Sequence, residues 1–204
     1  MRVWLPDRPG ALGQVASRIG AVRGDVVGID LLERGGGRAV DDLVVSLPEG
    51  SGVELLLGEI AQVDGVAVED VRRVADDRPE PGILALEVAA RLAEAESDKR
   101  LDLLCHEMRE LVDGQWVVAF SVGAERALVT IGTPPDPGWL AAFLAGSSHL
   151  SDADQAAGAP GDLAWARLPA TDLSIAIGRA GRPFHTRERQ HLSLLGRIAD
   201  SLLR

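Results

Sequence analysis

Cysteine occurs once, at Cys105, so the chain closes no internal disulfide and builds no cysteine metal cluster. Lysine also occurs once, at Lys99, and tyrosine and asparagine do not occur at all. Polar contacts that such side chains would make must come from other groups. Positive charge is scarce: 21 Lys and Arg stand against 31 Asp and Glu, a formal net charge of -10. Phosphate backbones and anionic membrane surfaces require a basic footprint, so neither nucleic acid nor membrane is an expected partner. No apolar run approaches the roughly 18 residues of a membrane span. The opening "MRVWLPDRPG" lacks the apolar core of a signal peptide, and the cytoplasm is the expected compartment. There is no P-loop, dinucleotide fingerprint, zinc motif or nucleophile elbow, so no cofactor, metal or catalytic residue is expected.

What is present suffices for a core. Hydrophobic residues make up 46% of 204 residues, enough for one large domain or two small ones. Residues 2–6 alternate, with Val3 and Leu5 on one face and Arg2 and Trp4 on the other, which predicts a strand. From Leu12 the period changes: Leu12, Val15, Ala16, Ile19 and Val22 recur at helical spacing until Gly24-Asp25 stops the helix. Residues 26–33 and 38–47 then read as a hairpin around Gly35-Gly36-Gly37. A second helix carries Val53, Leu56, Leu57, Ile60 and Val63 on one face, and a last strand runs from Val66 to near Val74. The order is βαββαβ, the ferredoxin-like split βαβ, with both helices on one face of a four-stranded antiparallel sheet. The other face must be solvated or meet a partner. A unit this small is marginal alone, and pairing two copies would help it.

Asp7-Arg8-Pro9-Gly10-Ala11-Leu12 joins the first strand to the first helix. Pro9 is preorganised for a first helical turn, and Gly10 exposes backbone to an approaching molecule. The N–H groups of Ala11 and Leu12 are then expected to point outward at the positive end of the helix dipole, as an anion site. Asp7 has two open roles, capping the helix or holding a ligand's ammonium group. Arg8 is either solvated or a clamp, and Gly10 is open to a purely geometric role. Asp41-Asp42 resembles a metal pair on paper, but neighbouring strand residues face opposite sides, and one is expected at a solvated edge.

"DRPGAL" before a helix, inside a βαββαβ unit of about seventy-five residues, resembles an ACT domain. The resemblance covers residues 1–75 and implies a regulatory domain that binds an amino acid or similar small metabolite at a homodimer interface. It implies that the loop Asp7, Arg8, Pro9, Gly10, Ala11 and Leu12 holds the ligand's carboxylate or ammonium. It further implies that Val26, Val27, Gly28, Ile29 and Asp30 of the partner's second strand close the site. Two positions depart from the pattern. The loop position often filled by Asn is Asp7, and the position opening the second strand, polar in several amino-acid binders, is Val26.

"DDRPEPG", residues 76–82, is a charged, Pro-rich break that reads as a linker. Beyond it, Leu84, Val88, Leu92 and Ala95 form a helical stripe, Ser97-Asp98 is a candidate break and N-cap, and Leu101 to Val112 continues as a helix. "QWVVAFSV" and "ALVTIG" read as strands, "GWLAAFLA" as a short helix, and residues 146–162 as a loop. "LAWARLP" and "LSIAIGR" read as two more strands, and a closing helix carries Leu192, Leu195, Ile198, Ala199 and Leu202. Cys105 and His106, adjacent on a helix, point in different directions and make no catalytic pair; Cys105 belongs to the core. His185 suits a helix start, His191 a solvated face and Phe184 an anchor beneath the turn. Trp116, Phe120 and Trp165 are expected in the core rather than lining a pocket.

The stretch "LSIAIGRAGRPFHTRERQHLSLLGRIADSLL" resembles the end of a GAF domain. That resemblance implies a GAF-like α/β domain over residues 83–204, with an antiparallel sheet and terminal helices serving regulation or dimerisation. The fold class expected is α+β. The expected function is a non-catalytic regulatory protein that binds an amino acid and docks on a partner enzyme or regulator. The alternative is a structural interaction or dimerisation module without a small ligand.

Overall fold

The structure is a computed structural model, and it describes residues 1–75, 79–147 and 161–204. The expected loop at 146–162 lies largely outside the described residues. The chain is mixed α+β, with six helices and two four-stranded antiparallel sheets among the described residues. It separates into two compact units, Met1–Asp76 and Asp77–Arg204.

The first unit runs β1 (Arg2–Pro6), α1 (Ala11–Ala21), β2 (Asp25–Gly35), β3 (Arg38–Ser46), α2 (Val53–Ile60) and β4 (Ala67–Asp70). The strands lie side by side in the order β2-β3-β1-β4, so β2 is an edge. Alternation decides the two faces. Val3 and Leu5 of β1 and Leu43 of β3 pack with Val15 and Ile19 of α1 and Leu56 and Ile60 of α2. Arg2 and Trp4 lie on the opposite face. There Arg2 pairs with Asp42 at 2.9 Å and Glu69 at 3.8 Å, and the Trp4 indole N–H donates to Glu69 at 2.7 Å. The Arg38 guanidinium lies 5.4 Å from the centre of the Trp4 ring. This face therefore carries its own ion-pair and aromatic layer.

Two boundaries differ from the sequence reading. The last strand ends at Asp70, not near Val74. The first helix stops one residue earlier than a glycine stop would suggest. Arg23 adopts the left-handed conformation, φ 60, and its N–H bonds to Gly20 while that of Gly24 bonds to Ile19. This is the two-bond helix stop usually built on glycine. Gly24 is required for another reason: a Cβ there would sit 2.9 Å from Ile19 Cγ2.

The second unit begins with α3 (Pro81–Glu94) and α4 (Arg100–Leu111), followed by β5 (Trp116–Ser121) and β6 (Arg126–Ile131). It continues with α5 (Pro137–Ser147), β7 (Leu163–Leu168), β8 (Leu173–Gly178) and α6 (Thr186–Leu202). Its sheet order is β6-β5-β8-β7. One face buries Val88, Leu92, Leu104, Cys105, Met108, Leu192 and Leu195 from α3, α4 and α6 against Val117, Ile175 and Ile177. The other face packs Phe120 and Trp165 against Leu140 and Leu144 of α5, with Trp116 partly buried beside them. Two expectations are corrected here. The N-cap of α4 is Lys99, not Ser97 or Asp98. Ile198, placed by spacing on the core face, is 41% exposed.

The turn from β8 into α6 is held by one buried cation. The Arg179 guanidinium donates to the carbonyl oxygens of Val112, Arg182 and Pro183 and to Glu188 Oε2 at 2.8 Å. Its carbon lies 4.1 Å from the centre of the buried Phe184 ring. Glu188 Oε2 also accepts the His185 N–H at 2.9 Å, which closes a capping box at the start of α6. Removing one partner of a buried pair strands the other charge, at about 3–5 kcal/mol. Arg179→Met is expected to destabilise the second unit by that amount in chemical denaturation. A midpoint equal to that of the unsubstituted chain would contradict this account of the turn.

Candidate functional site

The loop from β1 to α1 departs from its expected geometry in two ways. Helix α1 starts at Ala11 with Gly10 as its N-cap, so Pro9 precedes the helix rather than forming its first turn. Gly10 is left-handed, φ 85, with no side chain capping the helix and no described residue within 4 Å of where its Cβ would be. The Ala11 N–H is taken by the Arg8 carbonyl at 3.3 Å, whereas those of Leu12 and Gly13 have no acceptor among the described residues. The anion-binding donors are thus one residue further on than expected.

The Asp7 side chain does not cap the helix. Its carboxylate is 2.6 Å from Arg34 near the far end of β2, and its N–H donates to Gly37 in the β2–β3 turn. Arg8 is exposed, with one guanidinium nitrogen 3.3 Å from Gln14 Oε1. The loop is therefore tied to residues 34–37 of its own chain. Residues 26–30 lie opposite Asp42–Val45, toward the other end of the sheet. Within one copy the loop and Val26–Asp30 are not brought together.

On β2 itself the apolar residues divide. Val26 turns into the core of its own unit. Val27, Ile29 and Leu31, two residues apart, are 61%, 56% and 41% exposed. Ile29 and Leu31 lie in register with Leu43 and Asp41, the β3 residues on the helix-bearing face. Irregularities in the β2–β3 register fall between Val26 and Gly28 and between Leu31 and Glu33. Gly28 allows a close approach: a Cβ there would meet Val44 Cγ2 at 3.3 Å. Asp30 pairs in register with Asp42.

Asp41 is the group that sequence reasoning set aside. It and Asp42 do face opposite sides, but β3 is an internal strand, not an edge. Asp42 is bonded to Arg2 on the outer face. Asp41 lies opposite the core residue Val3, is 6% exposed, and its Oδ1 has no hydrogen-bond partner among the described residues. Burial pushes its carboxyl above the usual 3.8; Arg34 opposes the shift and Asp30 adds to it. The order of the strands, which alone reveals that Asp41 is internal, has no local signal in the sequence.

Elsewhere, no group of three His, Cys, Asp or Glu side chains could hold a metal ion among the described residues. No described helix is long and apolar enough to cross a membrane. Burial pushes the Cys105 thiol up to about 12, so it stays protonated at neutral pH. No protein-family profile, curated protein or solved structure matches this chain.

The raised Asp41 carboxyl has a pH signature. The folded chain holds this proton more tightly than the unfolded chain. Its penalty is therefore absent below 3.8 and complete above the raised value, so stability falls as pH rises through that window. Asp41→Asn is expected to unfold at a higher temperature than the unsubstituted chain at neutral pH, with the gap closing as pH falls toward 3.8. A gap independent of pH would contradict the assignment.

Proposed function

We propose that this chain is a non-catalytic regulatory protein that binds an amino acid or similar small metabolite. In this reading the first unit is a ferredoxin-like domain of the ACT kind. Its ligand lies between the Asp7–Leu12 loop of one copy and strand β2 of a second. The second unit is GAF-like and serves regulation or dimerisation.

The observation that carries the reading is the edge strand. Val27, Ile29 and Leu31 expose a row of apolar side chains on β2, whose one neighbour among the described strands is β3. Exposed edges of this kind invite pairing with another strand. Antiparallel pairing of two β2 strands carries residues 26–30 of one copy toward the loop end of the other. That supplies the meeting that one copy does not make. The loop adds an open Gly10 and the N–H groups of Leu12 and Gly13, which suit a carboxylate.

One observation favours the plainer alternative, an interaction module without a small ligand. Val26 packs into its own core and offers no polar group to a ligand.

Thermal unfolding of the full chain against each of the twenty amino acids at millimolar concentration separates the two. A ligand present at a hundred times its dissociation constant adds about 2.7 kcal/mol, a rise of several degrees. One or a few amino acids are expected to give it. Gly10→Ala places a Cβ in the open space at the loop and is expected to weaken that response at least tenfold. Its left-handed backbone alone costs about 1–2 kcal/mol in the unliganded chain. A flat panel rejects the amino-acid reading in favour of the interaction module.

A further inference from the structure

The carboxylate chemistry of the first unit is distributed unexpectedly. Asp7, which the sequence offers as a holder of an ammonium group, is already occupied: Arg34 Nη2 lies 2.6 Å from its Oδ1, and Arg34 Nε donates to the same oxygen at 2.8 Å. Asp42 is occupied by Arg2 at 2.9 Å. Asp41 differs. It is more than nine-tenths buried, one strand in from the edge, and its Oδ1 meets no donor among the described residues. A buried carboxylate without a donor is costly, and burial of a polar group is ordinarily accompanied by a partner.

The surroundings narrow what that partner can be. Asp41 faces the helix-bearing side, in register with Leu31 of β2, and Ile29 follows two residues away on the same edge. Both are substantially exposed, so the helices leave the β2 edge beside Asp41 uncovered while Asp41 itself is buried. Arg34 lies close enough to favour the Asp41 charge, but its Nε and Nη2 are engaged by Asp7 and it makes no hydrogen bond to Asp41 Oδ1. A metal ion lacks ligands here, since no three candidate side chains gather among the described residues. A small organic ammonium suits the position: it is compact, carries three donors and leaves its apolar substituents to Ile29 and Leu31.

We propose that Asp41 receives the ammonium group of an α-amino acid seated against β2. The inference rests on the amino-acid reading of the preceding subsection and assigns the group that distinguishes an amino acid from other carboxylates. Asp41 then carries a charge that is unsatisfied in the free protein and satisfied in the complex. Selectivity for the amine follows, because a ligand with a neutral hydroxyl in its place can donate one hydrogen bond but leaves the buried carboxylate's charge unbalanced.

The test uses the full chain and two ligand sets, the twenty amino acids and the 2-hydroxy acids that replace the α-amine of each responder by hydroxyl. The unsubstituted chain is expected to rise by several degrees with its amino acid, and its dissociation constant for the matching hydroxy acid to be at least tenfold weaker. Asp41→Asn is expected to abolish most of that difference by weakening the amino acid alone. Equal affinity of the unsubstituted chain for the two ligands overturns the inference and needs no variant, so a misfolded Asp41→Asn cannot obscure it. An Asp41→Asn chain that keeps full discrimination also overturns it, while leaving the amino-acid reading intact. No response to any amino acid overturns the reading itself, and this inference with it.

Discussion

An uncovered sheet edge is the constraint on which the first unit depends. Both helices lie over one face of a four-stranded sheet, and the strand order leaves β2 with one neighbour among the described residues. A sheet edge with exposed apolar residues is a template for pairing unless it is blunted. Here the edge strand carries Val27, Ile29 and Leu31 outward, with no lysine or proline among its residues. Arg34 near the far end of the strand is held by Asp7, which fixes the β1–α1 loop beside the hairpin turn. Edge, loop and turn therefore form one connected piece of surface, and the proposed ligand site uses all of it.

The second unit solves a different problem. Its sheet is covered on both faces, by α3, α4 and α6 on one and by α5 on the other. The difficulty there is the sharp passage from β8 into α6, where several backbone carbonyls turn inward. Arg179 collects them with one planar guanidinium, and Glu188 balances the charge while capping the helix. Asp200 performs a similar task at the β7–β8 turn, accepting the N–H groups of Ala170 and Thr171. Both carboxylates lie on α6, so the last helix organises two turns as well as the core.

Much of the element order was legible because the hydrophobic period changes from two to 3.6 at identifiable places. Val3 and Leu5 alternate, whereas Val15 and Ile19 recur at helical spacing, and all four are buried where the pattern puts them. Local chemistry was harder to read. Asp7 near a helix start reads as a cap, yet it bonds Arg34 twenty-seven positions away, a contact created by the hairpin returning alongside β1. The left-handed backbone at the end of α1 falls on Arg23 rather than on the adjacent Gly24, which instead packs closely against Ile19. Strand geometry alone speaks against Asp41 and Asp42 as a metal pair. The isolation of Asp41 depends on which strands flank β3, a property of the assembled sheet.

The most direct test of the account is amide hydrogen exchange along β2 in the full chain, compared between high and low protein concentration and with Ile29→Glu. Pairing of two edge strands predicts slow exchange for β2 at high concentration, lost on dilution and lost in the variant, while the amides of β1 and β3 stay protected. Equal exchange of β2 under all three conditions would contradict an edge-paired assembly, and with it the two-copy site.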